Sequence, residues 1–147
     1  MRLKVQPRLR ASALEAVPLF QGGDPVFLRN LAMMLKPVVY WPGDYILRKG
    51  EMGGEMYFIC RGQVEVLDDA GGTMKTMGEG DFFGEVSLLF SQPRTASIRA
   101  VTPCDLFVLS NGDFNRILQD HPRFADSLRQ AVRDRYGLPP ERIASAP

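Results

Sequence analysis

The sequence predicts an α+β fold in which an antiparallel β-roll, jelly-roll-like in its strand arrangement, lies between N-terminal and C-terminal helices. Two observations support this prediction. From about residue 38 to residue 109, short runs of β-branched and aromatic residues are separated at regular intervals by Gly, Pro and Asp, a spacing typical of barrels and jelly rolls. Before and after this segment, apolar residues recur at helical spacing instead.

The composition limits the chain to one globular domain. Its 147 residues are 45% hydrophobic, which is enough for one core but not for a second folded domain. The net charge of +1 argues against a nucleic-acid partner, and one histidine with two distant cysteines argues against a metal site or disulfide framework. No apolar run approaches the roughly 20 residues that cross a bilayer, and no signal peptide is present, so we expect a soluble, cytoplasmic fragment.

The N-terminal part predicts two helices. Residues 1–10 are basic and are interpreted as a mobile lead or the remnant of a linker. Apolar spacing within residues 11–20 predicts a first helix that ends near Pro18. After a Gly-Gly pair, Asp24 is expected to cap a second helix in which Pro25 is the first residue, since aspartate and proline favour those two positions. This helix should end before Pro37.

The middle of the chain predicts the strands of the roll. The run 56–60 is apolar throughout and is expected to be buried on both faces, whereas the run 63–67 alternates like a half-exposed strand. The expected strands comprise residues 38–41, 45–47, 56–60, 63–67, 74–77, 96–101 and 105–109.

The C-terminal part predicts two more helices. Ser110 or Asn111 is expected to cap the first, which a His-Pro pair then interrupts. The segment 123–136 carries apolar residues at i, i+4, i+7 and i+8 and predicts the second helix. Gly137 should end it, and residues 138–147 are expected to be a disordered tail.

One stretch carries most of the chemistry. Within residues 80–89, Gly84 allows the backbone to approach a ligand closely, and a short phosphate-binding helix starting near Glu85 would present unpaired N–H groups. Arg94, a few residues later, supplies a planar, permanently charged fork for two phosphate oxygens. Glu85 repels phosphate, so its presence is better explained by a hydroxyl beside the phosphate, such as a ribose 2′-OH. The stretch therefore predicts a cradle for a sugar phosphate.

The residues alone leave a second interpretation open. An ion pair between Arg94 and Glu85 could hold a tight turn together without binding any ligand, and the two interpretations have about equal weight. A resemblance favours the first. Residues 83–89 followed by Pro93-Arg94-Thr95-Ala96 resemble the phosphate-binding cassette of cyclic-nucleotide-binding domains.

The resemblance extends over about residues 13–137 and places a cyclic-nucleotide-binding domain at residues 11–137. Residues 40–46 and 54–59 are most similar to cyclic-nucleotide-regulated ion channels of the CNG and HCN type. For this reason the basic lead is interpreted as leftover channel linker.

The resemblance also implies a role for individual residues. Thr95 would offer its hydroxyl to the phosphate and to the amino group of a syn guanine, and Arg135 would reach the purine from the last helix, with Arg133 as a rival. Lys75 departs from the family pattern, which places an apolar residue there. The implied phosphate and ribose residues are Phe83, Gly84, Glu85, Val86, Ser87, Arg94 and Thr95, and the implied base-side residues are Val64, Val66, Met77 and Arg135.

The function that the resemblance implies is regulatory and not catalytic. The domain would bind cAMP or cGMP, with a slight preference for cAMP, without a cofactor, and would couple closure of its last helix to an attached channel. Its partners would then be the pore and C-linker of a homotetrameric channel, and it would be the cytoplasmic domain of a membrane-bound protein.

Three alternatives compete with this interpretation. A kinase regulatory domain has a similar cassette, but more often has alanine after the arginine. A transcription regulator would need a helix-turn-helix module, for which the ten residues after Gly137 are too short. A cupin-like enzyme would need a cluster of metal ligands, which one histidine cannot supply.

Overall fold

The computed structural model describes residues 18–20 and 24–137. Within this part of the chain, no helix is both long enough and apolar enough to cross a membrane. The elements, in chain order, are a 3₁₀ turn (Pro18–Phe20), α1 (Pro25–Met34), β1 (Lys36–Tyr40), β2 (Tyr45–Leu47), β3 (Glu55–Arg61), β4 (Val64–Leu67), β5 (Thr73–Met77), β6 (Phe82–Phe83), α2 (Glu85–Phe90), β7 (Ser97–Ala100), β8 (Cys104–Ser110), α3 (Asn111–Asp120) and α4 (Pro122–Tyr136).

The strands form two antiparallel sheets of four strands each. Their orders are β1-β8-β3-β6 and β2-β7-β4-β5. Apolar residues from both sheets share one buried cluster, so the two sheets face each other and enclose an apolar interior. The predicted antiparallel roll with helices at both ends is confirmed.

The start of the described chain agrees with the capping signals. The Asp24 side chain accepts a hydrogen bond from the Val26 N–H at 2.9 Å, and Pro25 occupies the first turn of α1. The predicted helix that ends near Pro18 lies almost wholly outside the described residues, which begin here with the 3₁₀ turn Pro18–Phe20. The predictions for 1–10 and for the tail 138–147 lie outside them.

Strand β1 begins earlier than the sequence predicts. It starts at Lys36 and includes Pro37, whereas we expected the strand to begin at Val38. Proline has no N–H to donate a backbone hydrogen bond to a neighbouring strand. Because β1 is an edge strand that pairs only with β8, the missing N–H is tolerated.

Strand β3 is buried on both faces and joins the two halves of the core. Phe58 packs with the helices, at 5.2 Å from the ring of Phe20, while Tyr57 and Ile59 face the interior of the roll. This placement explains the unbroken apolar run 56–60, because neither face of the strand meets water.

The two C-terminal helices fold back onto this core. Ser110 caps α3, and α4 spans nearly the predicted segment. Leu128 and Val132 are fully buried in the cluster that contains Phe58, and Gly137 ends α4 in the left-handed conformation. The last turn of α4 thereby comes to lie against the loop between β6 and α2.

Candidate anion-binding site

A cavity of about 510 Å³ lies between the second sheet, α2 and the last turn of α4. Its lining combines an apolar wall from β4 and β5 with charged side chains from the loop before β7 and from α4. The predicted site residues that line it are Val66, Met77, Phe83, Gly84, Glu85, Val86, Ser87, Arg94, Thr95 and Arg135.

Val64 is the predicted site residue that does not border the cavity. It is fully buried in the interior of the roll, where it is the strand partner of Met77. Val66 and Met77 both border the cavity and form the apolar wall. Val64 packs with them in the same buried cluster.

The turn into α2 requires a glycine. Phe83 pairs with Tyr57 in the sheet and stacks on its ring at 5.1 Å, which fixes where β6 ends. Gly84 follows with a φ of 90°, and a Cβ there would lie 2.9 Å from the carbonyl oxygen of Glu55. Both the left-handed backbone and the close approach exclude a side chain. No side chain caps α2, so the N–H groups of its first turn remain available at the cavity wall.

Arg94 is held beside this turn. Its side chain is buried, with 6% of the residue exposed, and it donates to the Gly84 carbonyl oxygen at 2.9 Å and to the Glu55 carbonyl oxygen at 2.7 Å. Burial lowers the pKa of the guanidinium, and the nearby Glu55, Tyr57 and Glu85 oppose this shift. A guanidinium has five N–H groups, so these two bonds fix its position and leave other N–H groups for an anion in the cavity.

The Arg94 side chain packs directly against Gly53. A Cβ at Gly53 would overlap the Cζ and Nε atoms of Arg94. The backbone of the same loop also holds Arg94, since the Arg94 N–H donates to the Glu51 carbonyl at 2.8 Å and the Arg94 carbonyl accepts from Gly50 at 2.9 Å. Sequence reasoning missed Gly53, because one glycine in a Gly-Gly pair gives no sign of the arginine that passes over it.

Glu85 forms its ion pair with Arg135 from α4 and not with Arg94. The residue is 1% exposed, and its carboxylate accepts from the Arg135 Nη1 at 3.2 Å. Burial raises the pKa of the carboxyl group, while the charges of Arg135 and Lys75 oppose that rise. The alternative of a turn closed by an Arg94–Glu85 pair does not match this geometry, since Arg94 bonds to carbonyl oxygens.

The last turn of α4 contributes two residues to the cavity. The Arg135 guanidinium also lies 4.2 Å from the centroid of the Phe82 ring, a cation–π contact that fixes α4 against β6. Tyr136, which the sequence analysis did not single out, lines the cavity next to Arg135, and burial raises its pKa to about 12. Its position beside Arg135 at the end of α4 was the signal that could have identified it.

Comparison with known protein families identifies this arrangement. The family model for the cyclic nucleotide-binding domain matches residues 37–121 of the chain, which is more than half of its length. The chain belongs to the cyclic nucleotide-binding domain family. Such domains are regulatory and not catalytic, so this domain is not an enzyme and the cupin-like alternative is excluded.

Curated relatives of the cyclic nucleotide-binding domain include ion channels. It is 42% identical over 120 residues to the mouse potassium/sodium hyperpolarization-activated cyclic nucleotide-gated channel 2, and 40% identical over 120 residues to the rabbit channel 4. Each alignment covers 82% of this chain, but only 14% of the mouse channel and 10% of the rabbit channel. The chain thus spans a small part of these relatives.

Solved structures with a similar fold include protein kinase regulators. The domain is similar to cAMP-bound PfPKA-R, with a TM-score of 0.77 and 29% identity over 90% of this chain and 48% of that one. It is also similar to the regulatory domain of Toxoplasma gondii PKA with cAMP, with a TM-score of 0.78 and 26% identity over 87% of this chain and 50% of that one.

Replacing Gly53 by alanine should displace the Arg94 guanidinium. The added methyl group would break the hydrogen bonds to Gly84 and Glu55, and losing hydrogen bonds to a buried charge lowers the free energy of unfolding by about 2–3 kcal/mol. Gly54→Ala is the matched control, because a Cβ there meets no atom within 4 Å. Chemical denaturation of both variants, with the NMR signal of the Arg94 Nε–H as a local probe, tests this. Equal stability and an unchanged signal in Gly53→Ala would contradict the placement.

Proposed function

We propose that this domain binds cAMP or cGMP in the cavity, with the cyclic phosphate between Arg94 and the first turn of α2. The observation that carries the proposal is the burial of Arg94 beside an uncapped helix start, with both groups bordering one cavity. A cation held by two carbonyl oxygens is already positioned, so binding an anion requires little reorganisation. Cyclic phosphate carries one negative charge, which one arginine neutralises.

Glu85 explains why the ligand is a nucleotide and not free phosphate. Its carboxylate borders the cavity and is expected to accept a hydrogen bond from the ribose 2′-OH. The proposed phosphate and ribose contacts are Phe83, Gly84, Glu85, Val86, Ser87, Arg94 and Thr95. Val66 and Met77 would pack on the base, with Val64 behind them, and Arg135 would approach it from α4.

The Glu85–Arg135 pair suggests how binding is transmitted. When a ribose hydroxyl engages Glu85, it shares this carboxylate with the one arginine that ties α4 to the cassette. Binding therefore changes the contacts that hold the last turn of α4, and a ligand shifts a conformational equilibrium through such differential contacts. Coupling of this kind is typically worth about 1–3 kcal/mol.

In a longer protein, α4 and the N-terminal helices would pass this change to an attached channel. The channel relatives support this proposal. The proposed partners are the C-linker and pore of a homotetrameric channel, with the domain on the cytoplasmic side. A kinase regulator is the second candidate, supported by the similarity to cAMP-bound PfPKA-R. Thr95 favours the channel, because kinase cassettes more often have alanine after the arginine.

Arg94→Ala should weaken binding of both nucleotides by about 30-fold or more, since truncating one member of a buried, hydrogen-bonded charge pair costs about 2–5 kcal/mol. Arg94→Lys keeps the charge but loses the fork, so its affinity should be intermediate. Arg99→Ala is the control. Arg99 forms an ion pair with Glu65 at an N–O distance of 2.9 Å, and neither residue borders the cavity. Isothermal titration with cAMP and cGMP, after a denaturation check of folding, measures these affinities. A folded Arg94→Lys or Arg94→Ala variant with unchanged affinity would refute the phosphate assignment.

Ligand binding should also protect α4 from hydrogen exchange. If the nucleotide stabilises docking of the last turn by the coupling energy above, amides of α4 should exchange about 5- to 150-fold more slowly at saturation. Amides of β1 serve as the internal control, because β1 does not border the cavity and has no part in the proposed transmission. Mass-spectrometric exchange with and without nucleotide makes the comparison. Equal protection factors in α4 would show that this helix does not report occupancy.

A further inference from the structure

Lys75 lies in the base-side wall of the cavity, at a position where an apolar residue is expected. It is the strand partner of Val66 across β4 and β5, and Met77 follows two residues later on the same face. All three side chains border the cavity. The Lys75 side chain therefore lies beside the apolar surface on which a purine would pack.

The charge of Lys75 acts inside this cavity. It is one of the two cationic side chains that oppose the rise in the pKa of Glu85, so its field reaches the buried carboxylate. Within residues 18–20 and 24–137, no carboxylate lies within 4.0 Å of its ammonium, whereas Lys49, also at the cavity, is 2.6 Å from Asp69. The ammonium of Lys75 is thus available to a ligand.

We propose that Lys75 makes this site selective for a 6-oxopurine cyclic nucleotide, with cGMP as the preferred messenger over cAMP. This inference rests on the proposed function of the same site. An ammonium group has three donors and no acceptor. Guanine presents two acceptors, N7 and O6, on one edge, whereas adenine places an amino donor next to N7. Lys75 can therefore satisfy the edge of guanine and meets a donor on adenine.

The rest of the wall is consistent with this selection. The four-carbon stem of Lys75 can pack on the base beside Val66 and Met77, as an apolar residue would, while its charged end extends to the purine edge. Thr95 borders the same cavity, and the family resemblance implies that it would contact the 2-amino group of a syn guanine. The two polar contacts read different edges of one base, so their effects are separable. The slight sequence-based preference for cAMP is replaced by this inference.

Three nucleotides and three variants separate the contacts. Cyclic IMP keeps O6 and N7 but lacks the 2-amino group, so it tests Lys75 without Thr95. In the unchanged domain, isothermal titration should show that cGMP and cIMP bind more tightly than cAMP. Lys75→Met should weaken the binding of cGMP and cIMP by about 5- to 100-fold, and it should leave the affinity for cAMP unchanged or increase it. Thr95→Ala should weaken the binding of cGMP more than that of cIMP, because cIMP lacks the 2-amino group. Lys49→Met, the matched control, should change all three affinities by the same factor.

The outcomes distinguish this inference from the proposed function. If the unchanged domain binds none of the three nucleotides, the proposed function fails. If it binds them but prefers cAMP, or if Lys75→Met leaves the cGMP-to-cAMP affinity ratio unchanged, the assignment of Lys75 is overturned. Folding of Lys75→Met is not in question, because the lysine is exposed and lies on the edge strand β5 of its sheet.

Discussion

The site depends on one interaction: the buried guanidinium of Arg94 bonds to the carbonyl oxygens of Gly84 and Glu55. Burying a charge without partners is strongly unfavourable, so these two bonds are a condition for the arginine to lie there. Two glycines make the geometry possible, because Gly53 leaves room for the side chain and Gly84 turns the chain so that its carbonyl meets the guanidinium. The position of the Arg94 guanidinium is thus set by the packing of the roll.

Glu85 connects this site to the C-terminal helix α4. Glu85 is buried, and desolvation raises its pKa. Its ion-pair partner Arg135 lies on α4, 50 residues later in the sequence. A buried carboxylate that loses its partner is destabilised, so any ligand that competes for Glu85 must replace what Arg135 supplies. Under the proposed function, one side chain would both bind a ribose hydroxyl group and transmit its binding to α4.

Local signals predicted most of the fold. The cap at Asp24, the Pro25 start, the apolar run 56–60 and the Gly137 stop each depend on a few neighbouring residues, and all are confirmed. Contacts between distant segments were harder to predict. The partner of Glu85 was expected to be Arg94 in one interpretation and is Arg135, 50 residues away, and the role of Gly53 depends on a side chain 41 residues later. Val64 was placed at the base by the family resemblance, which does not specify how deep each residue lies in the roll; it is buried and does not border the cavity.

The structure of the domain in complex with cAMP or cGMP is the most direct measurement of the central claim. The account predicts that N–H groups of Arg94 lie about 2.7–2.9 Å from an oxygen of the cyclic phosphate, with the first turn of α2 donating to the same group. The Arg94 bonds to Gly84 and Glu55 should persist in that complex. A phosphate bound elsewhere in the cavity, with Arg94 bonded only to the two carbonyl oxygens, would contradict the account.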